Sequence, residues 1–554
     1  MKKKWWKEAI VYQIYPRSFK DSNGDGIGDL KGIIEKIDYI ESLGVNAIWL
    51  NPVYKSPNYD NGYDISDYKD IMDDFGSLED WEKLLDELHK RNIKLIMDLV
   101  VNHSSFEHKW FLESKKSKDN KYRDYYIWKE GNNGNPPNNW ESFFSGSVWE
   151  LDENTNEYYL HLFTKEQPDL NWENKDLRYE IYDLIKFWLD KGIDGFRMDV
   201  INMISKNQSY MDGFVKRDTG LGDGSPYYLN GPRVHEFLKE MNKEVLSKYD
   251  IMTVGETPGV STNDAIDYSD ETRNELSMVF QFEHVGLDYG EKGKWSTKEM
   301  DFMKLKKNLF KWQVDLNKQG WNSIYFMNHD QPRSVSRFGN DKEYLNESAK
   351  LLCMCSLSMK GTPYIYQGDE IGMTNYPFKT IEECRDIEVF NRYKVVKEKK
   401  LDYDEFFNAI KKIGRDNSRT PMQWNANEFA GFTNRKPWIN VNPNYSEINV
   451  EAQTNDKNSV LSFYKEMINI RKDNLGLVYN DFLPIDIDDE NIFSYKRVGN
   501  ENEFLIVLNF SDRAINKEFE NLNEYNILIS NYSKNEIINN EILLKPYEGI
   551  IFIK

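Results

Sequence analysis

The stretch SLEDWEKLLDELHKRNIKLIMDLVVNH (77–103) carries one full helix-to-strand step. Ser77 stands where an N-cap would, with Asp80 three residues on to return the hydrogen bond. Trp81, Leu84, Leu85 and Leu88 then recur at helical spacing, and KLIMDLVVNH follows as a strand. The same step precedes it: Ile33, Ile37, Ile40 and Leu43 mark one helix face, and VNAIWLNPVY (45–54) reads as a strand. Repeated helix and strand signals with short connections predict a parallel sheet. Carried along the chain, the pattern places strands near 10–15, 46–50, 94–101, 194–199, 251–255, 278–282, 323–327 and 362–366. Eight such strands separated by helices predict an α/β (β/α)8 barrel, the TIM barrel.

Two regions leave this rhythm. From about 104 to 170 the chain is rich in Asn, Gly, Pro and aromatics, as in EGNNGNPPNNWESFFSGSVW (130–149), which reads as an irregular insertion after the third strand. From 477 onward the runs NIFSYKRV, EFLIVLNF, YNILIS and EGIIFIK predict a small antiparallel β domain. The expected organisation is therefore barrel (1–103), inserted domain (104–172), barrel again (173–476) and C-terminal β domain (477–554). A chain of 554 residues is expected to hold more than one domain, and no low-complexity linker separates these parts, so they are expected to pack as one body.

Three acidic residues each follow a short apolar run: Asp199 in GFRMDV, Glu256 in IMTVGET and Asp330 in SIYFMNHDQPR. Any one alone could be a solvated loop residue. Together, at the C-terminal ends of strands in one barrel, they converge on the mouth where barrel enzymes keep their chemistry. Two close carboxylates can cleave a glycosidic bond, one as nucleophile and one as proton donor, and the third could stabilise positive charge on the sugar.

Composition narrows the partners. Hydrophobic residues make up 39% and charged residues 30%, as in a globular protein, and no apolar stretch approaches the ~20 residues of a membrane span. A net charge of −20 argues against nucleic acid and anionic membranes. Three cysteines (353, 355 and 384) cannot staple so long a chain and are expected to be reduced and packed. The opening MKKKWWKEAIVYQIYPRSF has no apolar signal core, so a cytoplasmic protein is expected, as a monomer or weak homo-oligomer. Aromatic residues reach 14%, which is compatible with stacking on sugar rings without requiring it.

At DLVVNHSS (98–105), QPDLNWEN (167–174), GFRMDVIN (195–202), VGET (254–257), FMNHDQPR (326–333), GTPYIYQGDEIGMTNYPF (361–378) and IGRDNSRTPMQW (413–424) the chain resembles the α-amylase superfamily of glycoside hydrolases. The nearest likeness is to its bacterial oligo-1,6-glucosidase and dextran glucosidase group, and it covers essentially the whole chain. The resemblance implies Asp199 as nucleophile, Glu256 as general acid/base and Asp330 as transition-state stabiliser. It implies Arg197 as the cation that keeps Asp199 ionised, and His103 and His329 as hydrogen-bond partners of the sugar. Asp60 and Tyr63, in NYDNGYD (58–64), would hold the terminal glucose, and Arg415 would close the pocket with Asp60. The activity implied is exo-acting and retaining, on a small oligosaccharide, with no organic cofactor. Val200 accompanies α-1,6 preference in this group, where Thr accompanies α-1,4; activity on both linkages is the broader alternative.

DSNGDGIGD (21–29) places oxygen side chains at Asp21, Asn23, Asp25 and Asp29. Such a set suits Ca²⁺, with Mg²⁺ as a substitute. Gly32 stands where an EF-hand would need its bidentate Glu, so an EF-hand is disfavoured. The resemblance instead implies a structural Ca²⁺ site to which Ile27 adds its carbonyl. Three other readings compete. A trehalose-6-phosphate hydrolase is compatible with NGPRVHEFLKEMN (230–242) and would need a cationic pocket, for which Lys206, Lys292 and Lys294 are candidates. A sucrose isomerase would carry an Arg-Leu-Asp-Arg-Asp loop, where this chain has LDYGE (287–291). A non-catalytic scaffold relative would lack the three acids and carry a membrane segment.

Overall fold

The computed structural model describes residues 3–216, 219–500 and 502–554. Eight strands form the predicted barrel: β1 (Val11–Ile14), β2 (Ala47–Leu50), β3 (Lys94–Val100), β4 (Gly195–Asp199), β5 (Met252–Glu256), β6 (Met278–Phe280), β7 (Ser323–Ile324) and β8 (Thr362–Tyr366). All neighbours pair parallel, in the order β6-β5-β4-β3-β2-β1-β8-β7. A parallel bridge between Val279 and Asn322 joins the two ends of that row and closes the ring.

The helix Leu78–Lys90 forms with the expected capping box between Ser77 and Asp80. It buries Trp81, Leu84, Leu85 and Leu88 against the barrel. Upstream the structure corrects the single helix face read over 33–43. The chain breaks at Lys36 (φ −105°, ψ 11°) into Leu30–Glu35 and Ile37–Leu43, and Gly44 in the left-handed region (φ 84°) ends the second piece. The seventh strand is also shorter than read: pairing stops at Ile324, and Tyr325 turns its hydroxyl onto the carbonyl of Gln281 at 2.5 Å. Inside the barrel, Trp49, Ile96, Val254, Met278, Phe280 and Tyr364 form one apolar cluster. A larger cluster fills the layer between strands and helices.

The insertion has more order than its composition suggested. It carries a helix (Lys109–Ser114) and a three-stranded antiparallel sheet from Trp128–Lys129, Trp149–Asp152 and Glu157–Leu160. An antiparallel bridge between His103 and Asp169 ties its two ends together at the barrel mouth. The C-terminal region is antiparallel throughout, with a five-stranded and a three-stranded sheet running from Asp481–Ile485 to Gly549–Ile553. It is fixed to the barrel by buried cations that donate to backbone carbonyls: Lys306 to Asp489 and Ile492 (2.8 Å each), and Arg497 to Ser358 (2.7 Å). The three cysteines are buried and free. Among the described residues no helix is long and apolar enough to cross a membrane.

Candidate active site

Alternation along β4 puts Arg197 and Asp199 on the same face, pointing into the mouth. The register sets Asp98 of β3 beside Arg197, and Glu256 ends β5 next door. Arg197, only 1% exposed, becomes the hub. Its guanidinium donates to Asp98 at 2.6 Å and Asp199 at 2.8 Å, and it is in close contact with Glu256. Asp98 is held in turn by the indole N–H of Trp49 at 2.8 Å. Immediately after Asp199 the chain takes a strained turn: Val200, β-branched, lies in the left-handed region (φ 33°, ψ 43°). That turn lets its N–H donate to Glu256 Oε2 at 3.2 Å, so the strain is stored where it positions a carboxyl group.

Burial pushes both acids up, but unequally. Asp199 rises to about 6, with Arg197 holding it back against Asp98. Glu256 rises to about 8: burial is the main cause, Arg197 offsets part of it, and the charges of Asp199 and Asp330 push it further up. Near neutral pH one carboxyl is thus ionised while its neighbour keeps its proton. Two carboxyls whose surroundings separate their protonation in this way can serve as nucleophile and acid.

Asp330 follows the opposite course. Burial works against its charge, yet the guanidinium groups of Arg415, Arg419 and Arg197 hold it well below the usual carboxylate range. Arg419 Nη2 lies 2.6 Å from Asp330 Oδ1, and Arg415 Nη1 lies 3.3 Å from the same oxygen. Arg415 also reaches Asp60 at 3.3 Å and is anchored from behind by Asp386 at 2.8 and 2.5 Å. The chain therefore closes one end of the site with an Asp60–Arg415–Asp330 bridge, under the ring of Phe144 (4.8 Å).

Both histidines are neutral, because burial lowers His103 to about 4 and His329 to about 3. Gln13 donates to His329 Nδ1 at 2.9 Å, so the proton sits on Nε2, 3.3 Å from Asp330. That Nε2 has no hydrogen-bond partner among the described residues. Asn102 donates to His103 Nδ1 (3.3 Å), which leaves Nε2–H for the carbonyl of Tyr63 (3.1 Å). The Tyr63 ring stacks on His329 at 5.2 Å and 7°, and its hydroxyl takes the amide of Asn51 at 2.7 Å.

Comparison with known proteins follows the same lines. Residues 13–480 match the family described as alpha amylase, catalytic domain. The chain is 58% identical to an oligo-1,6-glucosidase of Parageobacillus thermoglucosidasius, across 100% of this chain and 99% of that one. A crystal structure of trehalose-6-phosphate hydrolase from Bacillus licheniformis superposes with a TM-score of 0.93 at 48% identity, covering 100% of both chains. The isomaltulose synthase of Protaminobacter rubrum superposes at 0.96 and 43%, again over 100% of both. The chain belongs to the alpha-amylase family. It is a glycoside hydrolase.

Asp199, Glu256, Asp330, Asp60, Tyr63, His103, Arg197, His329 and Arg415 all meet at this one mouth of the alpha-amylase barrel. Sequence reading missed several of their neighbours. Asp98 was hidden mid-strand within DLVVNHSS, although its position opposite Arg197 would have marked it. Gln167, whose amide meets Asp60 at 3.1 Å, lay in the quoted QPDLNWEN. Arg419 lay four residues past Arg415, at the spacing that puts two side chains on one helical face.

The 21–29 loop stands apart from this mouth. Its donor types, three carboxylates, an amide oxygen and a carbonyl, are those a hard dication takes, but among the described residues no three acids, histidines or cysteines are gathered as metal ligands. Its acids also close the loop on its own N–H groups. Asp21 accepts from Asn23 (3.0 Å), Gly24 (2.6 Å) and Gly26 (2.8 Å), and Asp29 accepts from Ser22 (2.9 Å) and Gly32 (2.7 Å).

Proposed function

We propose that this hydrolase removes terminal α-1,6-linked glucose from isomaltose and isomalto-oligosaccharides, with retention. Asp199 attacks the anomeric carbon while Glu256 passes its proton to the departing oxygen, giving a covalent β-glucosyl intermediate and the shortened sugar. Glu256, now ionised, takes a proton from water as that water attacks the same carbon. Glucose leaves with its α configuration, and Asp199 is freed. Asp330, ionised throughout, faces the positive charge of the oxocarbenium-like transition state. The neutral imidazoles of His103 and His329 hydrogen-bond the hydroxyls of the bound glucose, beside the Tyr63 ring.

The observation that carries this reading is Arg197 bonded at once to Asp199 and Glu256, whose protonation burial has set apart. The bridge from Asp60 through Arg415 supports exo action, since it leaves no path for a chain to continue past the terminal glucose. The α-1,6 preference is supported by Val200 and by the name of the 58%-identical relative. A preference for trehalose-6-phosphate is less well supported. Lys206 is committed to Asp169 at 2.7 Å and to Asn102 at 2.7 Å, and Lys292 and Lys294 are paired with Glu405 and Glu388. We also assign the 21–29 loop to a structural Ca²⁺, replaceable by Mg²⁺, held by Asp21, Asn23, Asp25, Asp29 and the carbonyl of Ile27.

Glucose release from isomaltose, maltose and trehalose-6-phosphate, assayed in parallel, tests the substrate. The expected order puts isomaltose first. Fastest turnover of trehalose-6-phosphate would overturn the substrate while keeping the site, and fastest turnover of maltose would overturn the linkage.

A further inference from the structure

His329 faces the site through Nε2, and that atom has no hydrogen-bond partner among the described residues. Asp330 lies 3.3 Å away without forming a hydrogen bond to it. A neutral imidazole carries one proton, on Nδ1 or on Nε2, so the same ring can be a donor or an acceptor toward a sugar hydroxyl. The partner of Nδ1 decides between the two, and that partner is Gln13 on β1.

Gln13 does not choose its own orientation. Its Nε2 donates one proton to His329 Nδ1 (2.9 Å) and the other to Asn51 Oδ1 (2.8 Å). With its oxygen so engaged, Asn51 turns its amide N–H the other way and gives it to the Tyr63 hydroxyl oxygen at 2.7 Å. The Tyr63 proton then points on to Asp98 Oδ2 at 3.3 Å. Asp98 ends the chain, because a carboxylate can only accept. It is kept a carboxylate by Arg197 at 2.6 Å and by the Trp49 indole at 2.8 Å. Turning Gln13 round would turn Asn51 and Tyr63 with it, and would set the Tyr63 oxygen against the Asp98 oxygen with no proton between them. All of these side chains are buried, and two facing acceptors are costly away from water.

We propose that Gln13 is a positioning residue of the reaction: it holds His329 as a hydrogen-bond donor to the bound glucose, in a direction imposed by Asp98 through Tyr63 and Asn51. The acids gathered on Arg197 thereby govern two protons, that of Glu256 and that of an imidazole three strands away beyond β7. This rests on the proposed reaction, in which His329 meets the glucose, and adds to it a residue that acts through His329.

Nitrogen-15 NMR of protein labelled on histidine reads the tautomer, with the His329 signal found by its loss in His329→Gln. In the ligand-free wild type the expected form has a bare Nδ1 and a proton on Nε2; the opposite form would overturn the proposal before any variant is made. Gln13→Glu keeps the length of the side chain and, as a carboxylate above neutral pH, can only accept. Nδ1 should then carry a proton, and kcat/KM on isomaltose should fall about ten- to a hundredfold. A bare Nδ1 in that variant would mean that Asp330 alone sets the tautomer. A changed tautomer with unchanged kcat/KM would mean that the donor has no use in the reaction. Either result overturns the proposal. Tyr63→Phe keeps the ring and cuts the chain next to Asp98. There the form with the proton on Nδ1 should appear beside the wild-type form, and its absence would overturn the direction taken from Asp98. If the wild type releases no glucose from isomaltose, the glucosidase reading falls, while the NMR spectra still decide whether Gln13 and Asp98 set the tautomer.

Discussion

In the catalytic mouth Arg197 is surrounded by Asp98, Asp199 and Glu256, while at the seam between barrel and C-terminal sheets Lys306, Arg471 and Arg497 donate to backbone carbonyls. All four cations are nearly or fully inaccessible to solvent. Their electrostatics diverge. The carboxylates around Arg197 outweigh its burial and push its guanidinium well above the usual range. At the seam burial wins: Arg471 falls to about 10 and Arg497 to about 9. Lys306 falls to about 8, with Asp489 and Asp486 offsetting part of its burial. A cation among acids controls which of them keeps a proton, so it governs chemistry. A cation among carbonyls satisfies dipoles that would otherwise be buried unpaired, so it governs assembly.

The contrast can be broken at either end. Asp199→Asn should lower kcat on isomaltose by more than about 10⁴-fold, because in the proposed mechanism Asp199 forms the covalent intermediate. Its melting temperature should hold, since one of three acids crowding a single guanidinium has been removed. Arg471→Met should do the reverse. It strips donors from the carbonyls of Leu357, Met359 and Gly361, at a cost of about 2–5 kcal/mol in stability by denaturant unfolding. The kcat of the folded fraction should be unchanged; a large loss there would mean the seam feeds the chemistry after all.

The 21–29 loop offers a third arrangement, acids closed on amides. Chelation should lower the melting temperature, and Ca²⁺ should restore it. The effect should be about 2.7 kcal/mol at a hundredfold excess over the dissociation constant, with little change in kcat. No shift on chelation would remove the ion from the account. The smallest effect is on pH dependence. The acid limb of kcat/KM should follow Asp199, which must be ionised, and lie near 6. The basic limb should follow Glu256, which must be protonated, and lie near 8. One pH unit beyond either limb should cost about tenfold.

The barrel was legible because its signals are local. Capping at Ser77, the spacing of Trp81 to Leu88 and the apolar runs before each acid all lie within a few residues, and all eight strands were placed. The break at Lys36 was not, since Ile33, Ile37 and Ile40 keep helical spacing across it. In the mouth, residues at strand ends with a chemical signature were legible. Asp98 was not, because a carboxylate in mid-strand shows its purpose only through Arg197 on the neighbouring strand, 99 residues away. Asp386, Gln167 and Arg419 were hidden for the same reason: each matters through a contact between distant segments.

The most direct test of the double displacement by Asp199 and Glu256 is the anomeric form of the first glucose released from isomaltose, followed by proton NMR before mutarotation. The account predicts α-glucose first, decaying slowly to the equilibrium mixture. β-Glucose appearing first would mean that water attacks the sugar directly, and would contradict the role given to Asp199.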